Sequence, residues 1–311
     1  MPLHPQVAKA IEQMAAAGPP LHQMSPQEAR IAMDAARGAT DDPEKVGNVE
    51  DRLIPGVAGN QPIRIYTPEG DGPFPILVYF HGGDWVVGSI NTVDTSCRAL
   101  TNLADCMVIS ADYRLAPEDK FPAAVDDCYA ATRWVALNAA VLNGDASRIA
   151  VGGESAGANL AAAVTLKAQE SGLPPLAYQL LMYPVTAHAF DMPSHKENAE
   201  GYFLTTEMMA WFWDQYLASD TDGKNPLASP LRASTDQCRS LPSAFVATAE
   251  YDPLRDEGAA YAAKLREAGV AVEYTCFEGL IHGFMGMAKV IEPAGQALQE
   301  AAAALKTALS Q

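Results

Sequence analysis

Positive charge is scarce in this 311-residue chain, and no long apolar run occurs in it. Its 21 lysine and arginine residues stand against 38 aspartate and glutamate residues, which gives a net charge of -17. Such a surface repels phosphate backbones and anionic membranes, so we expect no nucleic acid partner. No run reaches the ~18 apolar residues of a membrane span, and the first residues lack a basic segment followed by an apolar core. We therefore expect a soluble, cytoplasmic protein with no stable membrane insertion.

Paired cysteines are also missing from the sequence. The five cysteines are odd in number, scattered, and never in C-x-x-C spacing. This pattern indicates neither a disulfide framework nor a zinc site, and we expect buried thiols. Apolar residues, in contrast, are abundant: they make up 49% of the chain, against 19% charged residues, enough for a large core in one elaborated domain or in two domains.

Two helices are predicted before residue 38. The first begins near residue 5 and ends at the glycine and prolines of 18–20. The second opens at Ser25, where the serine caps the helix, a proline takes the first helical position and Glu28 closes a capping box. We expect Gly38 to end this helix.

Strand patterns follow from residue 49. Segments 49–54 and 63–66 alternate in polarity and resemble paired edge strands, whereas 76–80 is a continuous apolar run, as expected of a strand covered on both faces. Beyond it, helix candidates lie near 93–104, 122–139, 156–170, 254–268 and 294–309, and strand candidates lie near 106–111, 148–152, 177–183, 243–249 and 271–277. This alternation predicts a parallel α/β sheet with ligands at the carboxyl ends of its strands.

One segment, between Pro184 and Pro242, interrupts the alternation. A helix predicted from about Thr205 carries large apolar side chains on nearly every face, more than packing on one surface requires. These side chains are Met208, Met209, Trp211, Phe212, Trp213, Tyr216 and Leu217. Two interpretations stay open, a helix buried in the core and a lid over an apolar pocket.

The central motif of the sequence is a serine flanked by glycines at 153–157. An apolar strand precedes Ser155 and an alanine-rich helix follows it, which is the context of a nucleophile elbow, where small neighbours let a strained turn present one hydroxyl. An ordinary glycine-rich turn is the alternative. A dinucleotide-binding turn fits less well, because the glycines are not spaced G-x-G-x-x-G.

A serine nucleophile requires a base that takes its proton and a third group that orients the base. The candidate bases are His4, His22, His81, His188, His195 and His282. In this architecture the partners follow in the order serine, acid, histidine. His282, in the predicted loop 279–284, is then the histidine that leaves a strand and a helix ahead of it for the acid.

The acid should lie on a loop at the carboxyl end of a strand. Asp252 is favoured because it follows the strand at 244–249 and because Pro253 is predicted to start the next helix. Glu250 and Asp256 are the alternatives, although Asp256 also suits a structural charge in the first helical turn.

A glycine pair follows the buried strand that ends at Phe80. Gly82 and Gly83 expose backbone N–H groups that can converge with the N–H of Ala156 on the oxyanion of a tetrahedral intermediate. Losing one such donor typically lowers the rate by about 10²–10³.

In combination these motifs resemble the hormone-sensitive lipase family of carboxylesterases, within the α/β-hydrolases. The matching segments are 81–83, 112–118, 121–124, 153–157, 252–256 and 281–284. The resemblance implies a mostly parallel eight-stranded sheet flanked by helices, with a helical cap, and hydrolysis of short to medium chain acyl esters without a metal or other cofactor. It divides the chain into an N-terminal part of the cap at 1–44, an α/β-hydrolase core at 45–184 and 226–311, and a cap insertion at 185–225.

The same resemblance assigns roles to six residues. Ser155 is the nucleophile, His282 the base and then the acid, and Asp252 its orienting group. Gly82, Gly83 and Ala156 become the oxyanion hole. Candidate walls of the substrate pocket are Asp84, Trp85, Tyr183, Phe203, Trp211 and Phe284.

Two positions depart from the family pattern. Asp84 stands where the family usually has a third glycine, which bears on the room beside the acyl site and on esters of bulky tertiary alcohols. Glu154 stands where aspartate is more common, one methylene shorter.

Other functions remain as alternatives to an esterase. A ligand receptor without catalysis occurs on the same fold, but such proteins typically lack a triad member and this chain has all three. Lactone, amide and thioester hydrolysis use the same triad. Homodimers are common in the family, so self-association is a further expectation.

Overall fold

The computed structural model describes residues 2–37 and 42–310. Its strands are β1 (Asn48–Gly56), β2 (Gly59–Thr67), β3 (Phe74–Phe80), β4 (Met107–Ala111), β5 (Gly144–Glu154), β6 (Tyr178–Met182), β7 (Ser243–Tyr251) and β8 (Val272–Ile281). Its helices are α1 (Pro5–Ala17), α2 (Pro26–Arg37), α3 (Asp94–Ala104), α4 (Ala123–Asn138), α5 (Ala156–Ser171), α6 (Pro193–Glu197), α7 (Thr206–Tyr216), α8 (Thr235–Cys238), α9 (Arg255–Glu267) and α10 (Glu292–Leu309). Among the described residues, none of the helices is both long and apolar enough to cross a membrane.

All of these strands join one sheet in the order β1-β2-β4-β3-β5-β6-β7-β8. The pairs β1 with β2 and β2 with β4 are antiparallel, and the remaining pairs are parallel. The carboxyl ends of β3, β5, β6, β7 and β8 therefore open at the same edge of the sheet. The predicted eight-stranded, mostly parallel sheet is confirmed.

Strand β3 shows why the centre of this sheet is apolar throughout. Ile76 and Val78 pack into the core cluster on one face, together with residues of α4, α5 and α9. Leu77 and Tyr79 pack into the cluster on the other face, together with residues of α3 and α10. Because helices cover both faces of the sheet, side chains that point to either face are buried. The predicted strand covered on both faces is confirmed.

The hairpin of β1 and β2 lies at the edge of the sheet, as its alternating pattern predicted. The pairing runs further than expected, from Asn48 opposite Thr67 to Gly56 opposite Gly59. It includes Pro55, which lacks an N–H and is tolerated because β1 is an edge strand.

The predicted helix starts and ends can be compared with those in the structure. Ser25 Oγ accepts the N–H of Glu28 at 3.3 Å and Glu28 Oε2 accepts the N–H of Ser25 at 2.9 Å, so the predicted capping box is present. The predicted end at Gly38 lies outside the described residues. Helix α9 begins at Arg255, two residues later than Pro253 predicted.

Strand β8 corrects the predicted loop at 279–284. It continues to Ile281, which pairs with Tyr251 after an irregularity in the pairing of β7 with β8. The first three residues of that loop are therefore strand, and His282 follows the strand directly.

The insertion contains the predicted helix as α7, with the Thr205 hydroxyl accepting the N–H of Met208 at its start. Its five buried side chains are Met208, Met209, Phe212, Trp213 and Tyr216, and Trp211 is half-buried. The insertion also contains the short helix α6, which the sequence pattern did not predict.

Candidate active site

The turn between β5 and α5 carries Ser155 in a strained conformation. Its φ of 56° and ψ of -122° lie outside the regions that non-glycine residues normally adopt. The flanking glycines are sterically required: a Cβ at Gly157 would lie 2.0 Å from the carbonyl oxygen of Phe80, and one at Gly153 would lie 2.4 Å from the same atom. The serine turn therefore packs directly on the end of β3, where the predicted oxyanion loop begins.

Three side chains from three different strand ends meet at this turn. Ser155 Oγ lies 2.9 Å from His282 Nε2, and His282 Nδ1 lies 2.7 Å from Asp252 Oδ2. All three residues are buried. The imidazole thus has a hydroxyl on one nitrogen and a carboxylate on the other, which is the arrangement of a serine nucleophile with its base and orienting acid.

The two alternative acids are engaged elsewhere. Glu250 Oε2 accepts the N–H of Gly279 at 2.7 Å, and Asp256 binds Arg255 and the N–H of Ser194. Asp252 Oδ2 contacts His282, and Asp252 Oδ1 accepts the N–H of Leu254 at 2.8 Å.

The loop after β3 lies against the serine turn. A Cβ at Gly82 would be 3.1 Å from the carbonyl oxygen of Glu154, and Gly83 has φ 117° and accepts the N–H groups of Val86 and Val87. Ala156, the first residue of α5, is buried at the same turn. The structure thus places Gly82 against the residue before Ser155 and Ala156 directly after Ser155, and Gly83 follows Gly82 in the same loop.

His81, at the start of this loop, makes contacts that stabilise it. Its ring stacks on Tyr113 with centroids 4.2 Å apart, and the Tyr113 hydroxyl donates to the His81 carbonyl at 2.8 Å. Burial lowers the pKa of His81, and the carboxylate of Asp112, 3.6 Å from Nε2, opposes that shift. His81 is therefore a structural partner of the loop, and among the described residues no hydrogen bond joins it to Ser155.

The six predicted pocket walls lie in different surroundings. Asp84 and Trp85 are buried in the loop after β3, where the Trp85 ring stacks on Tyr216 at 4.1 Å and packs against Trp213 at 4.6 Å. Phe203 and Trp211 are half-buried in the insertion.

The other two predicted walls, Tyr183 and Phe284, lie near His282. The rings of Tyr183 and His282 make a T-shaped contact with centroids 4.8 Å apart, and the rings of Tyr183 and Phe284 make a similar contact at the same distance. Both Tyr183 and Phe284 are buried.

Sequence reasoning missed the residues that tie the insertion to the acid loop. Asn198 Nδ2 donates to the carbonyls of Asp252 at 3.1 Å and Glu250 at 3.2 Å, and Ser194 Oγ donates to Pro253 at 2.7 Å. These are contacts between distant parts of the chain, and no local pattern marks them.

Arg30 of α2 was missed for the same reason. It donates to the carbonyls of Val86 and Ala116, both at 2.8 Å, and forms an ion pair with Glu118. It thus joins the N-terminal helices to the loop after β3.

Known proteins are similar to this chain in sequence and in fold. A family model for the alpha/beta hydrolase fold matches residues 77–286. Carboxylesterase NlhH of Mycobacterium tuberculosis is 43% identical over 250 residues, which cover 80% of this chain and 78% of that protein. Ethyl acetate hydrolase of Pseudomonas putida is 38% identical over 288 residues, with coverage of 90% and 89%.

Solved structures agree with the sequence comparison. The crystal structure of a thermostable esterase from Pseudomonas putida ECU1011 superposes with a TM-score of 0.95 at 38% identity, covering 99% of this chain and 98% of that one. The resemblance inferred from the motifs is confirmed, and the chain belongs to the α/β-hydrolase family, among its hormone-sensitive lipase-like carboxylesterases.

Proposed function

We propose that this protein hydrolyses short to medium chain acyl esters through an acyl-enzyme intermediate on Ser155. One observation carries the proposal: a continuous hydrogen-bonded row runs from Ser155 Oγ through the His282 imidazole to Asp252, with separations of 2.9 and 2.7 Å. Family membership supports the reaction class. The residue roles and the acyl chain length are the parts that we infer.

The first half of the reaction forms the acyl-enzyme. His282 Nε2 takes the proton of Ser155 as Oγ attacks the ester carbonyl carbon, and Asp252 stabilises the imidazolium that results. The N–H groups of Gly82, Gly83 and Ala156 hold the oxyanion of the tetrahedral intermediate. When the intermediate collapses, the carbon–oxygen bond to the alcohol breaks and His282 returns the proton to the leaving oxygen.

The second half releases the acid. Water gives a proton to His282 Nε2 and attacks the acyl carbonyl, and a second tetrahedral intermediate forms in the same oxyanion hole. Collapse expels Ser155 Oγ, which recovers its proton from His282. The products are the free acid and a restored serine.

We further propose that segments 1–44 and 185–225 form a cap over this site, outside the core segments 45–184 and 226–311. Two contacts support it. The insertion residues Trp213 and Tyr216 pack on Trp85 of the loop after β3. Lys120 Nζ binds the carbonyls of residues 214, 215 and 217.

The pocket walls belong to this proposal. The residues that would surround the acyl and alcohol groups are Asp84, Trp85, Tyr183, Phe203, Trp211 and Phe284. The apolar rings favour an uncharged acyl chain over a charged one. A homodimer and a cytoplasmic location stay predictions of the sequence.

A series of p-nitrophenyl esters from acetyl to palmitoyl, with Ser155→Ala as the control, tests the proposal. We expect turnover by the wild type with a maximum among the shorter chains, and none above background for the variant. A maximum at lauroyl or longer would contradict the chain length that we propose. Turnover of lactones, amides or thioesters in preference to every ester would assign the same triad to a different substrate class.

A further inference from the structure

Tyr183, the first residue after β6, adopts a backbone conformation that is unfavourable for a tyrosine. Its φ is 37°, in the left-handed region where non-glycine residues are strained. Hydrogen bonds fix the backbone on both sides: Met182 accepts the N–H of Ser155 at 2.9 Å, and the N–H of Tyr183 donates to Ala247 at 2.7 Å. Such strain persists where the surrounding structure determines it, and it is concentrated at functional sites.

The side chain of Tyr183 lies between the serine turn and the histidine loop. Its ring contacts the edge of the His282 ring, with centroids 4.8 Å apart and planes at 63°. Its hydroxyl lies 3.2 Å from Glu154 Oε2 and accepts the N–H of Met285 at 3.3 Å. One phenol therefore connects the residue before the nucleophile with the segment that follows the histidine.

Glu154 accepts the hydrogen bond that the Tyr183 hydroxyl donates. The carboxylate is 2% exposed and also lies 3.5 Å from the hydroxyl of Tyr79. Both tyrosine hydroxyls donate hydrogen bonds to Glu154 Oε2. Because the O–H of Tyr183 is directed to Glu154, its oxygen accepts the N–H of Met285 through a lone pair.

We propose that Tyr183, anchored by Glu154, is a positioning residue that holds the His282 loop in place, so that the imidazole stays aligned between Asp252 and Ser155. The inference rests on the proposed function of that site and deepens it. It assigns to Tyr183 a role different from that of a pocket wall. It also accounts for the longer side chain of Glu154, which reaches a hydroxyl that is shared with the histidine loop.

The variant Tyr183→Phe tests this role because it keeps the ring on His282 and removes the hydroxyl. Displacing a reacting group by about 1 Å lowers rates by up to about 100-fold, so we expect kcat to fall by about 10- to 100-fold with KM nearly unchanged. Active-site titration with a fluorophosphonate corrects kcat for the fraction of competent enzyme.

Tyr79→Phe is the matched control. It removes the other hydroxyl next to the same carboxylate, but no hydrogen bond joins Tyr79 to the His282 loop among the described residues. We expect its kcat to stay close to the wild-type value. An equal loss in both variants would overturn the proposal, since it would trace the effect to Glu154 alone.

A second measurement reads the position of the histidine without using turnover. The proton between His282 Nδ1 and Asp252 gives a far-downfield proton NMR resonance, which His282→Gln identifies by its loss. We expect this resonance to remain in Tyr79→Phe and to shift or broaden in Tyr183→Phe. If it is unchanged in Tyr183→Phe, the positioning role is wrong.

The two proposals fail in different ways. A wild type that turns over no ester would remove the proposed function, and the NMR comparison would still decide whether Tyr183 positions His282. If Tyr183→Phe does not fold, Glu154→Gln takes its place in both measurements. That variant keeps the shape and weakens the anchor, so we expect changes in the same direction, and an unchanged kcat together with an unchanged resonance would contradict the proposal.

Discussion

Two histidine–carboxylate pairs lie buried within the described residues, and they differ in what faces the second nitrogen of the imidazole. Asp252 and His282 are 2.7 Å apart, and Ser155 Oγ lies on the far side of the ring. Glu257 and His195 Nε2 are 3.4 Å apart with both side chains 1% exposed, and within the part of the chain that the structure describes the other ring nitrogen, His195 Nδ1, has no hydrogen-bond partner. Burial and a carboxylate partner therefore do not by themselves indicate a catalytic histidine.

The second pair has a structural use that the first lacks. Glu257 Oε1 accepts the N–H groups of Thr186 at 2.5 Å and Ala187 at 3.3 Å, at the beginning of the insertion. His195 lies on α6, so the pair joins α9 of the core to two parts of the insertion. Asp252 and Glu257 are close neighbours in sequence, yet Glu257 accepts two backbone N–H groups of the insertion, whereas Asp252 accepts one from its own loop and, in our proposal, orients a base.

Replacing the acid of the first pair should have the largest effect. Asp252→Asn keeps the shape but offers His282 an amide, which favours the wrong tautomer, and we expect kcat to fall by about 10⁴. Steady-state kinetics with p-nitrophenyl butyrate measure it. Glu257→Gln is the matched carboxamide control and should keep kcat near the wild-type value; equal losses in the two variants would remove the distinction between the pairs.

Truncating the acid of the second pair should affect stability and spare catalysis. Glu257→Ala leaves the buried N–H groups of Thr186 and Ala187 without their acceptor, and a buried unsatisfied group costs about 1–3 kcal/mol. Urea unfolding should show a loss of this size, with kcat per titrated site retained. Glu267→Ala, at the exposed end of α9, is the control and should change the unfolding free energy by less than about 0.5 kcal/mol.

The pH dependence of the second pair should show the smallest effect. Burial raises the pKa of Glu257 above its ordinary value of 4.5, against the hydrogen bonds and the His195 charge that lower it. The folded protein then holds this proton more tightly than the unfolded chain. Its contribution to stability is complete below the unfolded pKa and is lost as the pH rises through the folded value.

Glu257→Gln cannot titrate, so it isolates that contribution. We expect the unfolding free energy of the wild type, relative to this variant, to decrease as the pH rises above 4.5, by about 1.4 kcal/mol for each unit by which the pKa is raised. Denaturant unfolding at several pH values measures it. A relative stability that increases with pH would show that the buried carboxylate is favoured in its ionised form.

The sequence predicted those features that depend on short stretches of chain. The turn at Ser155 follows from glycines that steric contact requires, the capping box at Ser25 involves residues within one helical turn, and β3 is recognisable by its unbroken apolar run. Chain order alone selected His282 from the histidines of the chain. In the turn, the capping box and the strand, the sequence signal is confined to a few residues, although the turn packs on Phe80 and distant helices cover β3.

The features that the sequence did not predict depend on contacts between distant segments. Asn198 reaches the Asp252 loop only because α6 packs beside it, and Tyr183 meets His282 because β6 and β8 end at the same edge of the sheet. The end of β8 is later than its pattern predicts because its last pairing, of Ile281 with Tyr251, follows an irregularity within β8: from the pair Ala249–Phe277 to this pair, β7 advances by two residues and β8 by four. Gly279 lies in that irregularity with φ 72°, and such a stretch breaks the alternation by which a strand is predicted.

Covalent labelling of the serine tests the central claim most directly. The wild type should be incubated with a fluorophosphonate probe and digested, and the modified peptide should be sequenced by mass spectrometry. We predict one adduct, on Ser155, that forms in the wild type and is absent from Ser155→Ala. An unlabelled wild type, or an adduct that persists in Ser155→Ala, would contradict the assignment of Ser155 as the nucleophile.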